Sequence, residues 1–185
     1  MRAFLAGLLF GAVLAVALPL AALRSGWIDM AADVEPGIVE ETVGEWAYDG
    51  WLRHSAPATR NPVSASADVL SDGLSHYREN CVACHAAPGV EAAELAKGLH
   101  PAAPALDEED VQEQTDGELF WTIKKGVRMT GMPAFGPTHA DDELWKIVAF
   151  LRHLPELTAA EKAELREATE EEEGHHHHHD HESPE

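Results

Sequence analysis

The two cysteines of this 185-residue chain lie three positions apart, in the stretch CVACH at positions 81–85, and a histidine follows the second one directly. Two cysteines cannot build a disulfide framework, and at this spacing they could form at most one strained local bridge. Three interpretations are open: a redox dithiol, half of a zinc site, or an attachment point for a covalently bound group. In each of them the cysteines act together, so this stretch constrains the fold more than any other.

A zinc site usually takes four ligands from two spaced pairs of residues. The chain has only one cysteine pair, and the nearest other histidines, His76 and His100, lack ligand spacing. A thioredoxin-like dithiol would begin a helix after a strand, and no strand pattern is present. The pattern C-x-x-C-H is instead typical of covalent haem attachment, in which Cys81 and Cys84 would form thioethers about one helical turn apart and His85 would bind the iron.

The second axial ligand of such an iron is usually a thioether or another imidazole. Met129 and Met132 lie in RMTGMPAFG at 128–136, a loop with enough glycine and proline to hold a sulfur atom in place. Met132 is the predicted ligand because glycine and proline flank it directly, and Met129 is the alternative. His139 is a weaker rival, since it is expected to be exposed near the start of the last helix of the domain.

The N-terminal segment 1–26 has the length and composition of a signal-anchor helix. An uncharged stretch of 21 residues runs from Ala3 to Leu23, with Arg2 before it and Arg24 after it. This is about the length needed to cross a bilayer core, whereas the apolar core of a cleaved signal peptide is shorter. Cleavage near 19–22 remains an alternative. Both interpretations predict that the rest of the chain is exported, and covalent haem attachment takes place in that compartment.

The rest of the chain divides into a juxtamembrane segment and linker at 27–66, a globular domain at 67–157, and an acidic helix with a His-rich tail at 158–185. Apolar residues at helical spacing predict a helix from Ile38 to Leu52 that either lies on the membrane surface or packs on the domain. The Ser, Pro and Ala content of 55–66 predicts a linker. No strand or repeat is predicted.

Three helices are predicted in the domain and one after it. The domain helices are one that begins near Asp68 or Ser71 and runs into CVACH, one in DGELFWTIKKG that ends at Gly126, and one in DDELWKIVAFLRHL that is capped by Thr138 or Asp141 and ends at Pro155. The segment TAAEKAELREATEEEE opens with the capping box Thr158-x-x-Glu161, and we expect a charged, exposed helix there.

The formal net charge of −20 argues against a nucleic-acid partner, because a phosphate backbone requires a basic surface. Lys124, Lys125 and Arg128 stand out in this acidic chain. They could form a basic rim that docks an acidic partner, or they could be ordinary solvated cations at the end of a helix.

The tail GHHHHHDHESPE could bind a divalent metal ion such as Ni²⁺, Cu²⁺ or Zn²⁺. An expression tag and an inert tail are the alternatives. The candidate ligands are His175, His176, His177, His178, His179 and His181.

Four stretches follow one another in an order that resembles the class I monohaem cytochromes c, in a membrane-anchored bacterial form. They are CVACH, PAAPAL, TGMPAFG and ELWKIVAFLRHL, and the resemblance covers about residues 68–156. It implies an all-α fold in which a small helical domain wraps round one haem, here after an N-terminal transmembrane helix. In this family Gly73 and Tyr77 would lie on the first helix, and Trp145 and Phe150 on the last helix that crosses it.

The resemblance also implies roles around the iron. The carbonyl of Pro104 would accept a hydrogen bond from Nδ1 of His85 and orient the ring. Pro101 is a nearby alternative. With Met132 as the sixth ligand, the iron would have no open position for a substrate, so an electron carrier rather than an enzyme is expected.

The expected location is the bacterial inner membrane, held through residues 3–23, with the haem domain in the periplasm and membrane-bound redox proteins as partners. Two alternatives for the function are a haem subunit of a larger dehydrogenase or oxidase complex, and a sensor or peroxidase with a displaceable methionine.

Overall fold

The protein is described by a computed structural model that covers residues 1–26 and 31–176, with side chains described as far as residue 171. The chain forms two compact units, Met1–Glu35 and Pro36–Glu185. The first contains helix α1, Arg2–Arg24, which has no buried residues and a mean hydropathy of 2.4 over its most apolar window. By length and composition α1 could cross a membrane, and a signal sequence would pass the same test.

The second unit begins with helix α2, Ile38–Ser55, which packs one face on the rest of the unit. Leu52 is buried, and the hydroxyls of Tyr48 and Thr122 are 3.1 Å apart. The opposite face is exposed. Of the two arrangements that the sequence allowed, packing on the domain is therefore present, and it uses only one side of the helix.

The segment after α2 is also fixed to the domain, although its composition predicts a linker. The backbone N–H of Asn61 donates to Oδ2 of Asp116 at 2.9 Å, and its side-chain amide donates to the Trp145 carbonyl at 2.8 Å. Asp116 also accepts from Nε of Arg152 at 3.0 Å through its other oxygen. One carboxylate thus joins the segment before the domain to two of the domain's helices.

The centre of the domain is a close crossing of two helices, α3 (Ala67–Asn80) and α7 (Asp141–His153). A Cβ atom on Gly73 would lie 2.5 Å from the carbonyl oxygen of Lys146, so only glycine allows the two backbones to approach this closely. Beside this contact the rings of Tyr77 and Phe150 pack with their centroids 5.4 Å apart.

Helix α4, Val82–His85, follows α3 directly, and α5, Glu109–Gln112, follows a long loop that contains a 3₁₀ turn at Glu94–Gly98. Helix α6, Asp116–Lys125, begins at a capping box formed by Thr115 and Glu118. It packs on α7, where the rings of Phe120 and Trp145 stack at 4.1 Å. A second 3₁₀ turn, Leu154–Glu156, ends α7 at the predicted proline.

Helix α8, Ala159–His176, begins at the predicted capping box, in which Thr158 and Glu161 exchange hydrogen bonds. The prediction of an exposed helix is wrong for its inner face. Leu165 is 0% exposed and Thr169 is buried, because α8 packs on α4 and α3. Arg166 reinforces this contact by donating to the Gly89 carbonyl at 3.0 Å.

The all-helical fold predicted from the sequence is confirmed: residues 1–26 and 31–176 contain no strand, only an isolated bridge between Ala87 and Val90. The predicted cap of α7 is wrong. The N-cap is Ala140, whose backbone N–H donates to the Glu143 carboxylate at 2.7 Å, so neither Thr138 nor Asp141 has that role.

Candidate functional site

The stretch CVACH forms a tight helical turn at the end of α3. The backbone N–H groups of Cys84 and His85 both donate to the Cys81 carbonyl, at 3.0 and 2.9 Å. Val82 points into the core, and both cysteines are half-buried. The turn therefore brings the two thiols and the imidazole together on one helical turn, as the C-x-x-C-H interpretation requires.

Nδ1 of His85 donates to the carbonyl of Pro104 at 2.9 Å. The accepting carbonyl is that of Pro104 and not that of Pro101. This bond fixes the tautomer, because a ring nitrogen facing a carbonyl must carry the proton, and the lone pair is then on Nε2. Burial lowers the pKa of His85 below its ordinary value, with the Pro104 carbonyl opposing the shift. The ring is thus held neutral, the form that binds a metal ion.

The surroundings of Cys81 do not suit a redox dithiol. Burial raises the pKa of its thiol to about 12, and the neighbouring Cys84 adds to the rise. Reactive dithiols need a lowered thiol pKa, since the thiolate is the nucleophile. Together with the lack of any strand in the described residues, this disfavours the dithiol interpretation.

The methionine loop, residues 126–136, is tied to the end of α6 by backbone hydrogen bonds. Phe135 N–H donates to Ile123 O at 3.1 Å, and Gly136 N–H donates to Lys124 O at 3.0 Å. Gly126 has φ +64°, and a Cβ atom there would lie 2.5 Å from the Pro133 carbonyl carbon. The loop folds back on the helix at this glycine, and a larger residue would push the two apart.

The two methionines of this loop differ in how far their side chains are exposed to solvent. Met132 is partly buried against the hydrophobic core, and its backbone is held at both ends, by Thr130 Oγ1 at 3.1 Å and by Val127 N–H at 3.2 Å. Met129 is 81% exposed. Fixed backbone and partial burial favour Met132 over Met129 as a ligand. His139 packs against Phe135 and is hydrogen-bonded to Thr138 through Nδ1.

One buried polar atom fits an additional bound group. Nε1 of Trp121, on α6, has no hydrogen-bond partner among the described residues. A buried N–H donor is normally paired, so an unpaired one is free to donate to an ordered water or to an acceptor of a bound group. Haem carries carboxylate acceptors, and the thiols, the oriented imidazole and the tethered thioether match its other requirements. The residues present therefore fit haem.

The basic rim is smaller than the sequence suggests. Lys124 is engaged by Asp141, with Nζ 2.6 and 2.8 Å from the two carboxylate oxygens. Lys125 lies over the ring of Trp121 at 4.7 Å, and Arg128 is exposed. Only the last two remain available to a partner.

No group of three or more His, Cys, Asp or Glu side chains that could hold a metal ion occurs in the part of the chain described. This removes the zinc interpretation of CVACH there. The predicted metal ligands His175, His176, His177, His178, His179 and His181 lie outside the residues whose side chains are described.

Residues 68–151 match the family model described as cytochrome C oxidase, cbb3-type, subunit III. No curated protein matches the chain. The matched segment runs from the start of α3 almost to the end of α7 and contains the CVACH turn, Pro104 and the methionine loop. The match bears out the resemblance found in the sequence: residues 68–151 form a domain similar to the c-type cytochromes, which supports a haem-based electron-transfer protein.

Proposed function

We propose that the protein is a membrane-anchored electron carrier with one haem, attached covalently to Cys81 and Cys84 and ligated by His85 and Met132. The single observation that carries this proposal is the geometry of the CVACH turn, in which Pro104 occupies Nδ1 of His85 and leaves Nε2 for the iron. When bound, haem supplies reversible one-electron exchange between ferric and ferrous iron.

The chain's own residues determine how that exchange would proceed. The Pro104 carbonyl holds the imidazole in one orientation and increases its basicity. Met132, a soft neutral ligand, favours the reduced iron and raises the reduction potential above that of a bis-histidine site. With His85 and Met132 both holding the iron, the chain would leave no open position for a small molecule, and the group would serve electron transfer rather than a reaction at the metal.

Docking of a redox partner would use the surface beside the methionine loop. Lys125 and Arg128 are exposed there, next to the exposed thioether of Met129. An apolar centre beside positive charge suits an acidic partner. The chain as a whole has a net charge of −20, so its other surfaces would repel such a partner. The partners we propose are membrane-bound redox proteins, with the haem domain on the periplasmic side of the inner membrane.

The anchor contributes to the rate of transfer. Helix α1 would confine the domain to a membrane surface and raise its effective concentration near membrane oxidoreductases. Alkaline carbonate extraction of native membranes tests this part of the proposal. An anchored protein remains in the pellet, and a protein released into the supernatant contradicts it.

Carbon monoxide binding to the reduced full-length protein separates the carrier from a sensor or peroxidase. With Met132 on the iron, binding at neutral pH is slow or undetectable. Rapid binding would overturn the carrier proposal, because it requires an open or easily opened position.

A second candidate function is supported by the family description, which names a subunit of a terminal oxidase. On that proposal the protein is a permanent haem subunit of a larger complex rather than a mobile carrier. Gentle solubilisation of native membranes distinguishes the two. A stable complex of fixed stoichiometry supports the subunit, and a monodisperse single chain supports the carrier.

A further inference from the structure

Helix α2 has two faces of different character. One face packs on the cytochrome domain through buried Leu52 and through the contact of Tyr48 with Thr122. The other face carries Val39, Val43 and Trp46, which are 72%, 56% and 70% exposed. The function proposed above uses neither these side chains nor this face.

The three exposed side chains form one stripe. They stand at positions i, i+4 and i+7, which lie above one another on a helix of 3.6 residues per turn. By the same periodicity, Thr42, Ala47 and Gly50 share this face and carry no charge. The acidic residues of α2 lie beside or behind the stripe; they are Glu40, Glu41, Glu45 and Asp49.

The last turn of α2 adds positive charge to the same face. Arg53 is on this face and is mostly exposed, with only a long 3.9 Å approach to Asp49. His54 is beside it and is also exposed. An apolar stripe that contains a tryptophan matches the apolar face of helices that lie in the interface of a lipid bilayer. The polar side of α2 is acidic, so the contact would depend on apolar burial and not on charge attraction to lipid.

The position of α2 in the chain indicates which surface covers the stripe. Arg24 ends α1 and Ile38 begins α2, so the thirteen residues 25–37 join them. Even fully extended, such a segment spans only about 45 Å. If α1 is inserted, α2 cannot leave the neighbourhood of the membrane. An apolar stripe that is too small to hold a free protein on lipid can still bind here. The anchor keeps the stripe at a high local concentration near the bilayer, so its binding is an intramolecular step.

We propose that the face of α2 formed by Val39, Val43 and Trp46 lies on the lipid bilayer and fixes the orientation of the cytochrome domain on the membrane. The inference rests on the membrane anchor proposed above. Since the other face of α2 is fixed to α6, and α6 leads into the methionine loop, a bilayer contact at α2 sets the direction in which that loop faces.

The test uses the full-length haem protein in vesicles of phosphatidylcholine and phosphatidylglycerol that contain no other protein. A Val43→Cys variant carries a nitroxide spin label on the stripe. The native cysteines do not compete for the label when they are bound to haem. Leu95→Cys is the matched control, because Leu95 is a similarly exposed apolar residue, at 58%, in the 3₁₀ turn away from α2.

The measurement is relaxation of the label by oxygen, which concentrates in lipid, and by a water-soluble nickel complex. We expect the label at position 43 to respond more to oxygen and less to nickel than the label at position 95. Equal responses at the two positions would overturn the proposal. A label at position 43 shielded from both reagents would also overturn it, since this indicates a protein contact such as a second copy of the chain.

The experiment distinguishes a protein that lacks the membrane anchor from an anchored protein whose α2 does not contact the bilayer. Vesicles are washed with alkaline carbonate before the measurement, and protein that washes off contradicts the anchor and with it the inference. Protein that remains but has a water-exposed label at position 43 contradicts only the bilayer contact of α2. An unchanged visible spectrum in both labelled variants verifies that the domain is intact.

Discussion

The turn that would attach the haem and the loop that would supply the second ligand are stabilised by different kinds of contact. The turn at 81–90 lies among α3, α8 and the loop before the first 3₁₀ turn, and distant residues contact it: the Tyr77 hydroxyl donates to Ala86 O, and Arg166 donates to Gly89 O. The methionine loop at 126–136 is held by backbone hydrogen bonds within the loop and to the end of the adjacent helix.

Because of this difference, substitutions in the turn and substitutions in the loop should have different effects on the protein. A change in the attachment turn disturbs packing that joins three helices, so it affects the whole domain. A change in the methionine loop affects one predicted ligand. It leaves the crossing of α3 and α7 intact, because none of the loop's backbone hydrogen bonds involves the residues in contact there. Substitutions in the two regions test whether their effects differ in this way.

Replacing both Cys81 and Cys84 with alanine has the largest expected effect. Without the thiols no thioether forms, and haem can be held only by its axial ligands and packing. We expect complete loss of pigment that survives denaturing electrophoresis and haem staining, and a domain that is largely unfolded. Retention of covalently bound pigment by the double variant would contradict the assignment of the attachment site.

Met132→Ala tests the loop, with Met129→Ala as its matched control. The first change is expected to remove the weak far-red band of the oxidised protein and to lower the reduction potential, since the thioether favours ferrous iron. The second leaves both unchanged, because Met129 is 81% exposed. The Soret band and denaturing haem stain should persist in both variants. A far-red band lost with Met129 instead of Met132 would reverse the ligand assignment.

Alanine substitutions at two glycines with positive φ, one in each region, allow a direct comparison of the turn and the loop. Gly126 in the loop and Gly89 in the attachment turn have φ of +64° and +77°, and Gly126 also has ψ −178°, a combination that essentially only glycine adopts. Alanine therefore costs about 1–3 kcal/mol of backbone strain at either position. At Gly126 the new Cβ atom also overlaps Pro133, whereas at Gly89 nothing lies within 4 Å.

We therefore expect Gly126→Ala to weaken the far-red band as well as to reduce stability, and Gly89→Ala to reduce stability alone. Denaturant unfolding and the oxidised spectrum measure the two effects. An undiminished far-red band in Gly126→Ala would show that the loop holds its sulfur without this close approach.

Glu161→Gln has the smallest expected effect and concerns the helix that covers the attachment turn. Burial raises the pKa of Glu161, but hydrogen bonds from Thr158 and the nearby His153 outweigh it, so the pKa lies below its ordinary value. A lowered pKa in the folded state stabilises the protein above the ordinary carboxyl pKa, and this contribution is lost as the pH falls through the folded value.

The free energy of unfolding of Glu161→Gln should therefore be about 0.5–1 kcal/mol lower than that of the unmodified protein at pH 7, and the difference should vanish in acid. Glu167→Gln, on the exposed side of the same helix, serves as the control and should show no difference at either pH. A deficit in Glu161→Gln that persists in acid would contradict the electrostatic origin.

Local signals in the sequence predict the helices of the domain well. Gly126 ends α6 as expected, and the Thr158–Glu161 pair starts α8, because both signals act on neighbouring backbone groups. The CVACH turn likewise depends on spacing alone. Contacts between distant residues could not be predicted in this way. The burial of Leu165 has no local signal. The cap of α7 is local, since Glu143 accepts from Ala140, and the prediction missed it because alanine is not a preferred N-cap residue.

Helix α2 and the stretch that follows it also make contacts with distant residues that the sequence could not predict. In the sequence Val39, Val43 and Trp46 have helical spacing, and Trp51 and Leu52 are predicted to extend the same face. That extension is wrong for Leu52, which is buried on the opposite face of α2 against the domain. Asn61 lies in a segment whose composition indicates a flexible linker. Its hydrogen bonds to Asp116 and Trp145 exist only because the chain folds back on residues 55 and 84 positions away.

The proposed function requires haem bound covalently at CVACH, with His85 and Met132 on its iron. The most direct test is the visible spectrum of the purified full-length protein, recorded after oxidation and again after extraction of the denatured protein with acidified organic solvent. We expect a weak far-red band in the oxidised protein and pigment that stays with the polypeptide on extraction. Pigment that passes into the solvent, or a colourless protein made with an intact haem-attachment system, would contradict it.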